Sequence, residues 1–290
     1  MPRDTMLREQ RMTTLTPEPM MIGGREFRWG TRTFVMGIVN ATPDSFSGDG
    51  LQRTEAIATR ARAFADAGAD ILDVGGESTR PGAAPVSVED ESRRIIPALQ
   101  AASAAGLPMS IDTYKSDVAR AALRHGACMI NDIWGLQHDP RLGELAAQAG
   151  VPLALMHNQH GTEYRDLIPQ VIERLARSVD AAIAAGVPRR NILVDPGFGF
   201  GKTAEQNLEL LRRLGEMRVL GLPILIGTSR KSTIGLVLDL PVEERLEGTA
   251  ATVAIAIANG ADMVRVHDVR EMTRVARMSD AIVRGWTRPR

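Results

Sequence analysis

The sequence predicts an α/β fold, a single (β/α)8 barrel of the TIM type, and three observations carry that prediction. Short aliphatic runs recur eight times, segments with helical spacing stand between them, and glycines mark the joints. The runs are FVMGIVN (34–40), ILDVGG (71–76), MSID (109–112), CMIND (128–132), PLALMH (152–157), NILVDPG (191–197), PILIGTS (223–229) and MVRVHD (263–268). Each is apolar along its length and does not alternate, as expected of a parallel strand covered on both faces. Between the first two, TEAIATRARAFADAGAD puts Ile57, Ala61 and Phe64 on one helical face. Ser87 with Asp90, and Thr203 with Gln206, have capping-box spacing. Gly68, Gly106, Gly126, Gly150, Gly186, Gly221 and Gly260 each stand just before the next strand, where a left-handed residue ends a helix. Eight strand–helix alternations favour a closed barrel over a doubly wound sheet. Ahead of the first strand, IGGREFRWG (22–30) reads as a short hairpin closing the barrel floor.

The 290 residues fall in the usual range for one such barrel. With 44% hydrophobic but only 4% aromatic residues, aliphatic side chains must fill the core. Lys plus Arg and Asp plus Glu both number 35, so there is no long-range basic field for nucleic acid or an anionic membrane. A local positive pocket for a small anion remains possible. No apolar run reaches membrane-spanning length. Residues 1–20 lack the apolar core of a signal peptide and read as a flexible leader, with 21–290 as one barrel domain. The single cysteine, Cys128, rules out an intramolecular disulfide and points to a reducing, cytoplasmic compartment. Its apolar neighbours in GACMIND predict a buried thiol.

In such a barrel the C-terminal strand ends face the functional mouth. Here they read Asn40, Gly75-Gly76, Asp112, Asn131, His157, Asp195, Ser229 with Lys231, and His267. One such residue is an ordinary cap or turn former. A polar or glycine exit on all eight strands is better explained as a polar binding site. Asp112, Asp195 and Asn131 suit a flat heterocycle carrying N–H donors, and Lys231 can donate to a ring carbonyl or nitrogen. No H-x-x-H or clustered acidic set suggests a dedicated metal cage. Asp112 and Asp195 would also satisfy a glycosidase pair, and that alternative stays open at this point. On the other side of the mouth, Arg265 and His267 stand two apart on one strand face and make an anion site. Two loops, NATPDSFSGDG (40–50) and GGESTRPGAAP (75–85), have the Gly/Pro/Ser/Asp composition of mobile lids.

One stretch, DPGFGFGKT (195–203), imitates a nucleotide phosphate loop. The first glycine of that motif folds backbone N–H groups inward, and here its place is taken by Pro196, which has no N–H. The glycines therefore serve another purpose.

These stretches together resemble the dihydropteroate synthase family. MGIVNATPDSFSGDG, DVGGESTRPGA, SIDTYKSDVA, INDIWG, LMH, LVDPGFGFGKT, GTSRKSTIG and RVHDV match in order from about residue 34 to 268. The resemblance implies condensation of 6-hydroxymethyl-7,8-dihydropterin diphosphate with p-aminobenzoate, giving 7,8-dihydropteroate and pyrophosphate. By position, Asp112, Asn131, Asp195 and Lys231 would bind the pterin, with Met156 and Phe200 packed on its ring and Gly227 giving room. The glycines of the DPGFGFGKT stretch would let the backbone bend back to bring Phe200 there. Asn40, Arg80, Arg265 and His267 would hold the diphosphate, and Asn40 would also ligate Mg²⁺. Pro43, Phe46, Thr79, Pro81 and Ser232 would form the p-aminobenzoate site. Asp44 would help stabilise the electron-poor methylene, beside Arg80, Lys231 and Arg265 as the other catalytic groups. The family usually forms homodimers. Ala41 and GDG (48–50) depart from its commoner residues without removing a named ligand. Two rivals are a pterin-binding methyltransferase acting on a corrinoid protein and a non-catalytic paralogue. STRPG and SRKS argue against the first, and retention of the lid and anion residues against the second.

Overall fold

The computed structural model describes residues 16–41, 50–78 and 85–287. The chain enters through a hairpin, β1 (Met20–Ile22) and β2 (Arg25–Phe27), in which Met20 pairs with Phe27 and Ile22 with Arg25. Gly23 and Gly24 form its two-residue loop with φ of 54° and 79°, the positive values a tight type I′ turn requires. The hairpin begins at Met20, earlier than the 22–30 stretch and inside the segment read as leader. Met20, Ile22 and Phe27 are buried, so this end of the leader belongs to the fold.

Eight strands follow: β3 (Phe34–Asn40), β4 (Ile71–Gly75), β5 (Met109–Asp112), β6 (Met129–Asp132), β7 (Leu153–Met156), β8 (Ile192–Asp195), β9 (Leu225–Ile226) and β10 (Met263–Val266). All pair in parallel, in the order β8-β7-β6-β5-β4-β3-β10-β9. A bridge from Val194 to Ile224 brings the two ends together, with the Val194 N–H on the Pro223 carbonyl at 3.0 Å. β9 is far shorter than the predicted 223–229. Pro223 has no N–H to donate, and the Ile224 N–H goes to the Asp262 carboxylate at 2.9 Å instead of to a neighbouring strand.

The helices are α1 (Gly50–Asp66), α2 (Val88–Ala102), α3 (Ser116–Arg124), α4 (Arg141–Ala149), α5 (Leu167–Ala184), α6 (Ala204–Arg212), α7 (Ser232–Leu238), α8 (Leu246–Ala258) and α9 (Val269–Arg284). Thr203 and Gln206 form the full reciprocal capping box of α6, whereas Ser87 caps α2 one way only, accepting from the Asp90 N–H at 3.1 Å. The seven predicted stop glycines all have positive φ, from 61° to 99°. Cys128 is half-buried, not buried, with its thiol on the Met109 carbonyl at 3.4 Å.

Strand periodicity divides the core. Val35, Leu72, Ile111, Ile130, Leu153 and Val264 face outward against Ile57, Ala61, Leu99 and Val118 of the helices. Met36, Ile71, Met129, Ala154, Leu193, Leu225 and Met263 face inward and pack on Phe27, Trp29 and Phe34 at the floor. The Phe27 and Phe34 ring centroids are 4.7 Å apart. Each fully buried side chain of that layer contributes roughly 1.5–3 kcal/mol. Two residues further along four of these strands, the same inward face becomes polar: Asp73, Asn131, Asp195 and Arg265 follow Ile71, Met129, Leu193 and Met263. Apolar floor and polar mouth are thus successive layers of one interior.

Candidate active site

The mouth is organised around Arg265. Its Nε donates to Asp73 Oδ2 at 2.6 Å and its Nη2 to Asp112 Oδ2 at 2.6 Å. Asp73 Oδ2 also accepts from Asn131 Nδ2 at 3.0 Å. Asp73 is fully buried, and one oxygen of each carboxylate, Asp73 Oδ1 and Asp112 Oδ1, is buried with no hydrogen-bond partner among the described residues. Burial holds the Asp112 carboxyl above the usual carboxylate range, opposed by the Arg265 guanidinium. Burial works against the charge of Arg265, yet Asp73 and Asp112 outweigh it and raise the pKa. The sequence reading set Arg265 across the mouth from Asp112; β10 and β5 stand three places apart in the sheet, with β3 and β4 between them, and the Arg265 side chain reaches over that distance to Asp73 and Asp112.

Asp195 and Lys231 form the opposite wall. Asp195 is raised by burial, opposed by the Lys231 charge and by the Gly197 N–H, which donates to Oδ1 at 2.7 Å. Burial pushes Lys231 down to about 8 despite Asp195. The Lys231 ammonium donates to the Phe198 carbonyl and lies 4.4 Å from the Phe200 ring centroid, a cation–π contact.

The glycine-rich stretch holds no phosphate-loop geometry. Gly197 and Gly201 have φ of 72° and 54°, and an added Cβ would lie 1.9 Å from the His157 carbonyl oxygen and 2.6 Å from that of Gln159. The loop turns back directly on the segment after β7. Lys202, 8% exposed, locks that contact, with its Nζ 3.0 Å from His157 Nδ1, the Gly197 carbonyl and the Phe200 carbonyl. Burial lowers Lys202 to about 7, with Asp195 opposing, and lowers His157 to about 3, with the Lys202 charge adding. His157, read from sequence as a mouth residue, is occupied by this lysine.

The remaining predicted residues are distributed around this centre. Asn40 ends β3 half-buried beside Gly75, and Met156 is buried one strand from Asp195. A Cβ on Gly227 would meet Arg265 Cβ at 3.6 Å, so anything longer than a methyl group would crowd the stem that carries the guanidinium. His267 Nδ1 is 3.0 Å from Ser229 Oγ, and Ser232 is exposed in the first turn of α7. Lys115 bonds Glu77 Oε2 at 2.5 Å, within the second lid stretch, and the Val86 carbonyl at 2.6 Å, just after it. Pro43, Asp44, Phe46, Thr79, Arg80 and Pro81 lie outside the described residues. Sequence reasoning missed two buried groups, Asp73 and Lys202. A carboxylate inside an otherwise apolar strand was the available signal for the first. For the second, the glycines of DPGFGFGKT signal a turn but not what Lys202 meets. Among the described residues no cluster of three or more acidic, His or Cys side chains could hold a metal, and no helix is long and apolar enough to cross a membrane.

The chain matches the pterin binding enzyme family over residues 36–267. It is 52% identical over 268 residues to dihydropteroate synthase of Clostridium beijerinckii, covering 91% of this chain and all of that one. Among solved structures it resembles dihydropteroate synthase of Clostridium difficile in the presence of pteroic acid, with a TM-score of 0.86, 48% identity and coverage of 89% and 99%. It also resembles the Xanthomonas albilineans enzyme with 4-aminobenzoic acid, with a TM-score of 0.87, 41% identity and coverage of 92% and 98%. With the barrel, the polar inner layer and these likenesses all spanning the same residues, the chain belongs to the dihydropteroate synthase family of pterin-binding enzymes.

Proposed function

We propose that the chain condenses 6-hydroxymethyl-7,8-dihydropterin diphosphate with p-aminobenzoate, releasing pyrophosphate and 7,8-dihydropteroate. The carrying observation is the buried inner layer at the mouth. Among the described residues Asp112 Oδ1 has no donor there, and an unpaired buried acceptor is costly until a ligand N–H meets it. A pterin ring supplies such donors, while Asn131 and Asp195 offer further acceptors and Lys231 a donor. Met156 and Phe200 would pack on the ring. Arg265 and His267, with Asn40 and Arg80, would grip the diphosphate, and Ser232 at the start of α7 would receive the p-aminobenzoate carboxylate beside Thr79, Pro81, Pro43 and Phe46. As the methylene carbon–oxygen bond breaks, pyrophosphate takes the electron pair and positive charge develops on the methylene. Asp44 would stabilise that charge; the aryl amine attacks it and then loses a proton. No protein nucleophile is required, and the chain's residues act by positioning and electrostatics.

Mg²⁺ would neutralise diphosphate charge. Asn40 fits it as a single hard oxygen ligand at a strand end, because this ion takes most of its shell from phosphate and water. Exposed Leu236, Val237, Ile255, Met278 and Ile282 on α7–α9 support a homodimer. Single-domain organisation of the barrel with its hairpin, and a cytoplasmic location, complete the reading. The test is pyrophosphate release on mixing the two substrates and Mg²⁺ with the protein. Release dependent on p-aminobenzoate is expected; its absence with intact pterin binding would favour a non-catalytic paralogue.

A further inference from the structure

We infer that Asp73 is a positioning residue that aims Arg265 and Asn131 at the substrate, and this rests on the reading of Arg265 as a diphosphate grip. A guanidinium is a planar fork, and bonds from two of its nitrogens to two different carboxylates fix its plane. Asp73 takes Nε and Asp112 takes Nη2, which leaves Nη1 as the nitrogen without an acceptor among the described residues. The same Asp73 oxygen takes Asn131 Nδ2, which turns the amide oxygen of Asn131 the other way, as an acceptor for a ligand. One buried carboxylate therefore sets a donor on β10 and an acceptor on β6. Without the Asp73 charge, Arg265 would rely on Asp112 alone and compete with the pterin for that carboxylate. The Asn131 amide would be free to turn over. Asp73 itself needs no contact with the reacting atoms for this role.

The test is a double-mutant cycle read by calorimetry with 6-hydroxymethylpterin diphosphate and with 6-hydroxymethylpterin lacking phosphate, using wild type, Asp73→Asn, Arg265→Gln and the double variant. Asp73→Asn should weaken the diphosphate ligand roughly ten- to hundredfold, the range for a lost charge-assisted bond, and the phosphate-free ligand less. In the Arg265→Gln background the same change should cost the diphosphate ligand no more than it costs the phosphate-free ligand, the part carried through Asn131. Additive losses, or equal losses for both ligands, would make Asp73 a merely structural charge and overturn the inference. Unchanged affinity in Asp73→Asn alongside a weak Arg265→Gln would overturn it too. An Arg265→Gln variant with normal diphosphate affinity would instead remove the diphosphate reading, and the inference with it. Should Asp73→Asn fail to fold, the wild type supplies a second measurement through the Arg265 Nε–H resonance in nuclear magnetic resonance, assigned by its loss in Arg265→Gln. That proton should exchange slowly both free and with pyrophosphate bound; fast exchange in the free protein would overturn the assignment.

Discussion

Replacing Lys202 by Met removes the ammonium that ties the GFGFG turn to His157 while keeping most of the side-chain length. The consequence is sharpest as a dependence on pH. Lys202 titrates near 10.5 when unhindered and is pushed down to about 7 in the barrel. Between those values the unfolded chain binds more protons than the folded one, so the lysine makes stability rise with pH in this window. Each decade in that window is worth about 1.36 kcal/mol for one proton, so from pH 7.5 to 9.5 the group adds about 2.7 kcal/mol to folding. The methionine variant lacks this gain. Urea unfolding at the two pH values, followed by the fluorescence of Trp29, 2% exposed at the floor, measures it. The wild type should gain on the variant by about 2.7 kcal/mol on going to pH 9.5. Parallel behaviour would show that Lys202 stays protonated in both states and that its three acceptors hold a full cation.

Three further outcomes are expected. Gly197→Ala should cost more than about 3 kcal/mol or abolish folding, since its Cβ meets a backbone oxygen at 1.9 Å. Gly199→Ala, whose Cβ meets the flexible Lys231 stem at 2.8 Å, should keep more stability but lose pterin affinity; equal unfolding midpoints for the two variants would contradict this. Asp112→Asn should remove pterin binding in calorimetry, because the acceptor charge is lost while volume is kept; near-normal affinity would refute its role. p-Aminobenzoate, or a sulfonamide mimic, should bind well only with pyrophosphate and Mg²⁺ present, because the proposed diphosphate ligands Asn40 and Arg80 stand close in sequence to the residues proposed for its pocket. Equal affinity with and without them would show a preformed pocket.

Periodicity and glycine placement determined the barrel, because a strand covered on both faces and a helix ending in a left-handed residue are local events. The same local chemistry marked Asp112, Asn131, Asp195 and Lys231, whose polar groups stand at or just after apolar runs. Pro196 alone excluded a phosphate loop. Tertiary structure decided the rest. Asp73 lies inside ILDVGG, two residues before the glycine exit, and only the alternation of faces turns it inward beneath Arg265, 192 positions away. Lys202 follows a glycine run that permits a turn without saying what it turns against; His157, 45 positions earlier, is known only from the packed loops. The shortening of β9 depends on Asp262 taking the Ile224 N–H, a competition between distant segments. A polar group's availability to a ligand is what remains after its neighbours have taken their bonds, and those neighbours are set by closing the barrel.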